Sequence, residues 1–313
     1  MTSLTNTDLP PIRIATRASQ LALWQANHVA DRIRAISPGT VVELVEVTTS
    51  GDRNQSDALR TLGNTGLFTR EVQAAVLDQR ADLAVHSLKD LPTEGVPGLC
   101  LAAVPERAPM FDALVLPQSS NGEPTLAALP PGAKVGTGSP RRQAQLLFVR
   151  PDLQLSEVRG NVDTRLRKLD AGEYDALVLA AAGLTRLGLG SRISATFEPP
   201  VMYPAVSQGA LGLECRADDE RVRAVLASLT DPVTFAAVRA ERRLLAALRA
   251  GCHAPLGVFS QARDQELHLE AVVLRPDGTH RWMAAATGTL QEPEKIGQAV
   301  ADRLVAQGAT AVL

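Results

Sequence analysis

The sequence predicts an α/β protein built from two α/β units, with a smaller α+β unit at its C-terminal end. Three observations carry this expectation. Strand-like and helix-like stretches alternate from residue 12 onward, the order of βαβ units and of a mostly parallel sheet. The same order resumes after a loop-rich stretch at residues 117 to 132, which holds Pro117, Gly122, Pro124, Pro130, Pro131 and Gly132. After Asp231-Pro232 the composition shifts to a helical Ala/Leu/Arg stretch followed by alternating strand-like segments. A length of 313 residues allows two or three domains. Apolar residues make up 45% of the chain, enough for a core in each, and with aromatics at 3% those cores fall to Ala, Leu and Val.

Taken in order, Ile12 to Thr16 reads as a strand. Ser19 then caps a helix to Ile36, with an apolar stripe of Leu21, Trp24, His28/Val29, Ile33 and Ile36 near the 3.6 period. Pro38-Gly39 ends it, and the β-branched run Val41 to Thr49 reads as the next strand. Residues 50 to 66 are polar and contain glycine, and a loop of that length in a compact domain is usually functional or mobile. Leu67 to Gln79 returns to a helical pattern, and Asp82 to Leu88 is an apolar strand that turns polar before Pro92. In the second unit, Ala133 to Gly136 and Gln154 to Val158 read as strands, Asn161 or Val162 to Leu169 as a helix stopped by Gly172, and Asp175 to Ala181 as a buried strand. Pro199-Pro200 and Pro204 mark a return to the first unit. The last unit reads as a helix from Phe235 to Ala250, strands over Glu266 to Val273 and Arg281 to Gly288, and a helix from Pro293 to Ala306.

Composition narrows the function classes. A net charge of −2 argues against a general nucleic-acid binder. No apolar run approaches the roughly 18 residues of a membrane span. The stretch Met1 to Pro11 lacks the basic start and apolar core of a signal peptide, so a cytoplasmic location is expected. The three cysteines, Cys100, Cys215 and Cys252, are odd in number and widely spaced. They form no CxxC and no zinc-type cluster, so neither a metal nor a disulfide framework is expected.

Three segments carry candidate chemistry. In Ala81-Asp-Leu-Ala-Val-His-Ser-Leu-Lys-Asp-Leu-Pro92, an apolar strand ends in Lys89-Asp90. Asp90 is either an ordinary surface ion-pair partner or a carboxylate facing the crevice at a strand's carboxyl end. In Lys134-Val-Gly-Thr-Gly-Ser-Pro-Arg-Arg142, Ser139 fits an N-cap and Pro140 the first helical position, with Arg141 and Arg142 in the first turn. Arginines there oppose the helix dipole unless an anion is present, so the segment reads as an anion site in preference to a decorated helix. Arg17, Arg159, Arg165 and Arg186 recur after other strands. Each alone is an ordinary solvated charge; together they suggest a cleft for several carboxylates or phosphates. In Gly251-Cys252-His253-Ala254-Pro255, the thiol sits in a turn and is either inert or a nucleophile. Cys100 and Cys215 lie in apolar stretches and read as core filler.

These segments, in this order, resemble the porphobilinogen deaminase (hydroxymethylbilane synthase) family. The matching stretches are Arg13-Ile-Ala-Thr-Arg-Ala-Ser19, Leu21-Ala-Leu-Trp-Gln25, Ala81 to Pro92, Val135-Gly-Thr-Gly-Ser-Pro-Arg-Arg-Gln143, Arg159-Gly-Asn161, Thr164-Arg-Leu166, Gly172-Glu-Tyr-Asp-Ala176, Ala182-Gly-Leu184 and Gly251-Cys252. The match runs from about residue 12 through nearly the whole chain, with the last sixty or so residues only loosely patterned. The resemblance implies two domains like periplasmic binding proteins with a cleft between them, and a third α+β domain. Residues 1–106 and 205–228 would form the first domain, 107–204 the second and 229–313 the third.

It also implies a transferase that condenses four porphobilinogens head to tail with release of ammonia, on a covalent dipyrromethane primer, and then frees hydroxymethylbilane by hydrolysis. Each pyrrole carries an acetate and a propionate, so the growing chain is a polyanion. Arg17, Arg141, Arg142, Arg159, Arg165 and Arg186 match the family's carboxylate-binding positions. Ser19, Gln25, Ser87, Lys89, Thr137 and Ser139 match its further polar contacts. Asp90 matches the catalytic carboxylate, suited to stabilise the cation left when ammonia departs. Cys252 matches the residue that carries the dipyrromethane through a thioether. The resemblance further implies a monomer with porphobilinogen as its small-molecule partner, and allows hand-over of product to uroporphyrinogen-III synthase.

The chain departs from the family pattern in places. Thr61 and Thr65 stand where lysines are common, with Arg53 and Arg60 the nearby basic residues. Thr137-Gly138-Ser139-Pro140 replaces a usual Thr-Ser-Ser-Leu, and Ser207 replaces a usual glycine. Two rivals compete with the transferase. A non-catalytic anion-binding module would explain the arginines but not Asp90 and Cys252 together. A cysteine hydrolase would need a base and an oxyanion hole that the sequence does not place.

Overall fold

In the computed structural model the described residues are 10–48, 69–120, 123–251 and 253–313. Arg53, Arg60, Thr61, Thr65, Gly122 and Cys252 lie outside them, as does the whole of the loop expected at residues 50 to 66. The chain opens with β1 (Ile12–Arg17), α1 (Gln20–Ile36), β2 (Val42–Val47), α2 (Arg70–Leu77) and β3 (Leu83–Ser87). A 3-10 turn over Leu88–Asp90 and β4 (Leu99–Ala103) follow. Next come β5 (Asp112–Val115), β6 (Lys134–Gly136), α3 (Pro140–Val149), β7 (Gln154–Ser156), α4 (Val162–Asp170), β8 (Ala176–Ala180), α5 (Ala181–Arg186) and β9 (Ala195–Phe197). The chain continues through β10 (Leu211–Arg216), α6 (Glu220–Ala227) and α7 (Pro232–Ala247). It closes with β11 (Leu256–Arg263), β12 (Glu266–Leu274), β13 (Arg281–Thr289) and α8 (Pro293–Ala306).

By internal contacts the chain parts into two units. The first holds residues 1–107 and 210–235, the second 108–209 and 236–313. The first unit has one five-stranded sheet, in the order β2-β1-β3-β10-β4. β1 runs parallel to β2 and β3, while β10 is antiparallel to β3 and β4. The second unit repeats this plan as β7-β6-β8-β5-β9, with β6 parallel to β7 and β8 and with β5 antiparallel to β8 and β9. The mostly parallel sheet expected from βαβ order is therefore mixed in both cases. The physical reason is the chain path. β5 is the first strand after the chain crosses into the second unit and β10 the first after it returns. Each enters from outside the βαβ run and pairs antiparallel to its third parallel strand. The second unit also contains the antiparallel meander β11-β12-β13. Its core draws Ala240 and Leu244 from α7, Leu267 and Leu269 from β12, and Val300 and Leu304 from α8.

Helix α1 corrects one expectation. Its buried stripe is Gln25, Ala26, Val29, Ala30 and Ile33, whereas Trp24 and Ile36 are exposed. The small Ala26 and Ala30 let the helix approach the sheet closely, turning Trp24 outward to stack on His28 at 5.0 Å. Ser19 caps the helix as expected, accepting from Ala22 N.

The segment leading to β10 is tightly built. Gly209 has φ +87, and a Cβ there would lie 2.4 Å from Ala108 O. Ala108 N–H also donates to Gly209 O. Gly209→Ala should cost about 3 kcal/mol, from left-handed strain plus overpacking against backbone; chemical denaturation measures it. Ser207 next to it is fully buried with φ +58, and its Oγ has no hydrogen-bond partner among the described residues. Ser207→Gly should therefore stabilise the protein, by about 1 kcal/mol after the extra entropy of an unfolded glycine is subtracted. A raised midpoint in the same denaturation series is the expected readout.

Candidate active site

The first unit gathers its candidate residues at the carboxyl ends of β1 and β3. Leu88 is fully buried and anchors the 3-10 turn, which is closed by Leu91 N–H donating to Leu88 O. The turn leaves Lys89 half-buried and Asp90 exposed. Asp90 lines a cavity of about 100 Å³ together with Arg17, Ser19, Gln25 and Ser87. Arg17 ends β1, Ser19 caps α1, and Gln25 reaches across from α1 so that its Nε2 donates to Ser87 Oγ at 2.8 Å. Lys89 is not part of that lining.

Behind this cavity lies a polar cluster that sequence reasoning missed. His86 lines the cavity and is buried, with its Nε2 3.0 Å from Glu214 Oε2. Gln73 on α2 donates to the same Glu214 oxygen at 2.8 Å. This carboxylate ties α2, β3 and β10 together beneath the pocket. His86 stood inside the Ala81 to Pro92 run, but nothing local pointed to Glu214 or Gln73.

The second unit gathers the arginines. Thr137 is fully buried after β6, and its Oγ1 accepts from Ser139 N–H at 3.4 Å. Ser139 stands at the N-cap position of α3 with Pro140 in the first turn, but its side chain makes no capping bond. The cap position was thus legible in sequence, while the helix's free N–H groups are not closed by the serine hydroxyl.

Arg141 and Arg142 are buried, 4% and 7% exposed, which rules out a decorated surface helix. Asp112 explains how two guanidiniums come to be buried side by side. Arg141 Nη1 lies 2.7 Å from Asp112 Oδ2. Arg142 donates to Asp112 Oδ1 from Nε at 2.9 Å and from Nη2 at 2.7 Å, and from Nη1 to Val178 O at 3.1 Å. Burial alone would raise the Asp112 pKa; the two guanidiniums more than offset it and hold the carboxyl well below the usual carboxylate range. Burial lowers the Arg141 pKa, and the nearby Arg142 charge adds to that effect while Asp112 opposes it. Arg141 Nε is buried with no hydrogen-bond acceptor among the described residues.

Arg165 donates from Nε to Gly160 O at 2.8 Å, and its pKa is lowered first by burial and then by the Arg142 charge. Arg186 is buried, donates from Nη2 to Gly209 O at 2.7 Å, and has its pKa pushed down to about 10 by burial. Arg159 pairs with Glu157 at 2.9 Å. Arg141, Arg142 and Arg165 thus share one neighbourhood, with Asp112 in direct contact with the first two and the Glu157 charge acting on the third. Arg141 and Arg165, whose pKa falls through burial and the nearby Arg142 charge, regain it when an anion arrives, so the cluster is suited to binding carboxylates. No group of three or more His, Cys, Asp or Glu that could hold a metal occurs among the described residues.

The remaining cysteines differ from residue 252 in sequence context and from one another in burial. Cys215 is fully buried in β10 and faces Cys100 of β4 across the sheet, with the sulfurs 4.0 Å apart. Burial, together with Cys100, pushes the Cys215 thiol up to about 12.

Comparison with known proteins adds to this geometry. Residues 12–224 match the family model "Porphobilinogen deaminase, dipyromethane cofactor binding domain", and residues 235–306 match "Porphobilinogen deaminase, C-terminal domain". A protein of Thiobacillus denitrificans described as porphobilinogen deaminase is 48% identical over 302 residues, covering 96% of this chain and 97% of its own. Among solved structures, a periplasmic domain of Bordetella pertussis BvgS aligns at a TM-score of 0.42 and 16% identity, over 71% of this chain and 87% of that one. The aliphatic sulphonate binding protein SsuA of Escherichia coli aligns at a TM-score of 0.38 and 14% identity, over 77% and 71%.

Proposed function

The chain belongs to the porphobilinogen deaminase family, a transferase family that polymerises porphobilinogen into hydroxymethylbilane, and from that premise we propose which of its residues do the work. Asp90 stabilises the cation that forms on porphobilinogen as ammonia leaves. Its place supports this reading: an exposed carboxylate lining a small cavity that Arg17 also lines. A fixed negative charge beside a developing positive one acts most strongly in the transition state, where that charge is largest. Arg17, Ser19, Gln25, Ser87 and Lys89 bind and orient the acetate and propionate groups on this side.

Arg141, Arg142, Arg159, Arg165 and Arg186, with Thr137 and Ser139, hold further carboxylates of the substrate, of the primer and of the growing polyanion. The single observation that carries this is the burial of Arg141 and Arg142 against one carboxylate, Asp112. Two buried cations with one directly paired anion leave positive charge for a ligand to neutralise. The matched family domain binds a dipyrromethane cofactor, and the arginine cluster suits its acidic side groups. When bound, the cofactor supplies the free pyrrole position on which the product is extended.

Cys252, which lies outside the described residues, carries that cofactor through a thioether. The protein works as a monomer in the cytoplasm, and its product is available to uroporphyrinogen-III synthase. No described helix is long and apolar enough to cross a membrane. The three-domain division at residues 106/107, 204/205 and 228/229 belongs to the same reading, with Asp90 and Arg17 in the first domain, the other five arginines in the second and Cys252 in the third.

Peptide mapping of the purified protein tests the assignment. Two pyrrole units of added mass are expected on the peptide containing Cys252. An added mass on the Cys100 or Cys215 peptide, or none on an active protein, overturns it.

A further inference from the structure

Asp112 belongs to none of the motifs that drew attention to the arginines. It is the first residue of β5, where the chain enters the second unit, and its side chain is fully buried. Besides Arg141 and Arg142, its Oδ1 accepts from Gln208 Nε2 at 2.9 Å. Gln208 donates from the same nitrogen to Met110 O at 2.7 Å and lies in the segment by which the chain leaves this unit. One carboxylate therefore joins the two paired guanidiniums to both ends of the 108–209 segment.

The charges decide what this joint does. A second carboxylate here would neutralise both arginines and silence the site. No carboxylate at all would leave two like charges buried together, repelling each other and free to take several rotamers. With one, the guanidiniums keep net positive charge and a single arrangement. Arg142 spends Nε and Nη2 on Asp112 and Nη1 on Val178 O, so its plane is fixed from two directions.

We propose that Asp112 is the positioning residue of the arginine site, fixing Arg141 and Arg142 in their anion-binding arrangement before the acidic substrate arrives. The inference rests on the reading that these arginines bind substrate carboxylates. Ordering done in advance lowers the cost of binding and leaves the chemical step at Asp90 untouched. The signature is a rise in KM with little change in kcat.

The test uses the cofactor-loaded protein, with intact mass confirming equal loading of each variant. Asp112→Asn is expected to raise KM for porphobilinogen about tenfold while kcat falls less than about threefold. In a double-mutant cycle, adding Arg142→Gln to Asp112→Asn should cost much less than Arg142→Gln costs alone, because the first change has already released that side chain. If Asp112→Asn does not yield folded protein, Asp112→Glu carries the test. It keeps the charge but displaces both guanidiniums by a methylene, and the same KM rise with retained kcat is expected. A KM within twofold of wild type in whichever variant folds overturns the proposal, as do fully multiplicative effects in the cycle. An unchanged KM in Arg142→Gln alone overturns it differently, by removing the substrate site on which it rests.

Discussion

Asp90→Asn is expected to lower kcat about 10²- to 10³-fold, the range seen when one preorganised electrostatic contact to a transition state is lost. The substitution keeps shape and one carbonyl acceptor, turns the other oxygen into an NH2 donor and removes the charge. Fold should be untouched, because the turn at 88–90 is anchored by buried Leu88 and closed by backbone, and Asp90 itself is exposed. The loss should fall on kcat more than on KM, since the cation exists only after ammonia begins to leave. Steady-state kinetics beside a thermal unfolding curve separates the cases. A kcat within a few-fold of wild type removes Asp90 from its role. A large loss accompanied by a matching drop in melting temperature would make the residue structural.

Cys252→Ser should abolish turnover and leave a protein whose intact mass equals that of its sequence. The argument is chemical. A thiolate is a soft nucleophile available near neutral pH, whereas a serine hydroxyl needs a base to act at all. Neither of the other two thiols can substitute easily. Cys215 is fully buried with its thiol pushed up to about 12, and Cys100 is its cross-strand neighbour. Cys100→Ser and Cys215→Ser are the controls, and both should keep the added mass. Turnover by Cys252→Ser at even a few per cent of wild type would show that a thiol at this position is not required.

Legibility in the sequence followed periodicity. β1, α1 and β3 were readable because apolar runs and helical stripes sit beside caps and breakers. The reversed strands β5 and β10 of the two five-stranded sheets were not, although β12 and β13 of the antiparallel meander were. β5 is four residues long and buried throughout, and β10 is buried along nearly its whole length, so neither shows the alternation that marks a half-exposed strand. The stripe of α1 was misplaced because Trp24 outweighs Ala26 and Ala30 in hydrophobicity, although the alanines are what the sheet accepts.

The candidate site divides the same way. Asp90, Ser19 and the Arg141-Arg142 pair lie in local motifs where residue type and position speak together. Asp112 and Gln208 meet across 96 positions, and Gln73 and Glu214 across 141. Each is an unremarkable polar residue in its own neighbourhood. Only the pairing of strands brings it to its partner.

The place of β10 has a consequence for how the chain is made. It lies between β3 and β4 in the first sheet, yet its residues follow the whole of the 108–209 segment. Until β10 is made, the strands β2, β1 and β3 have no partner for the edge of β3 that β10 takes in the finished sheet. The sheet of β5 to β9 has all its strands within 112–197 and can close first. Assembly therefore finishes in the reverse of the order in which it starts. During the interval the exposed edge of β3 is a docking edge for any passing strand, the hazard that nascent-chain chaperones exist to cover.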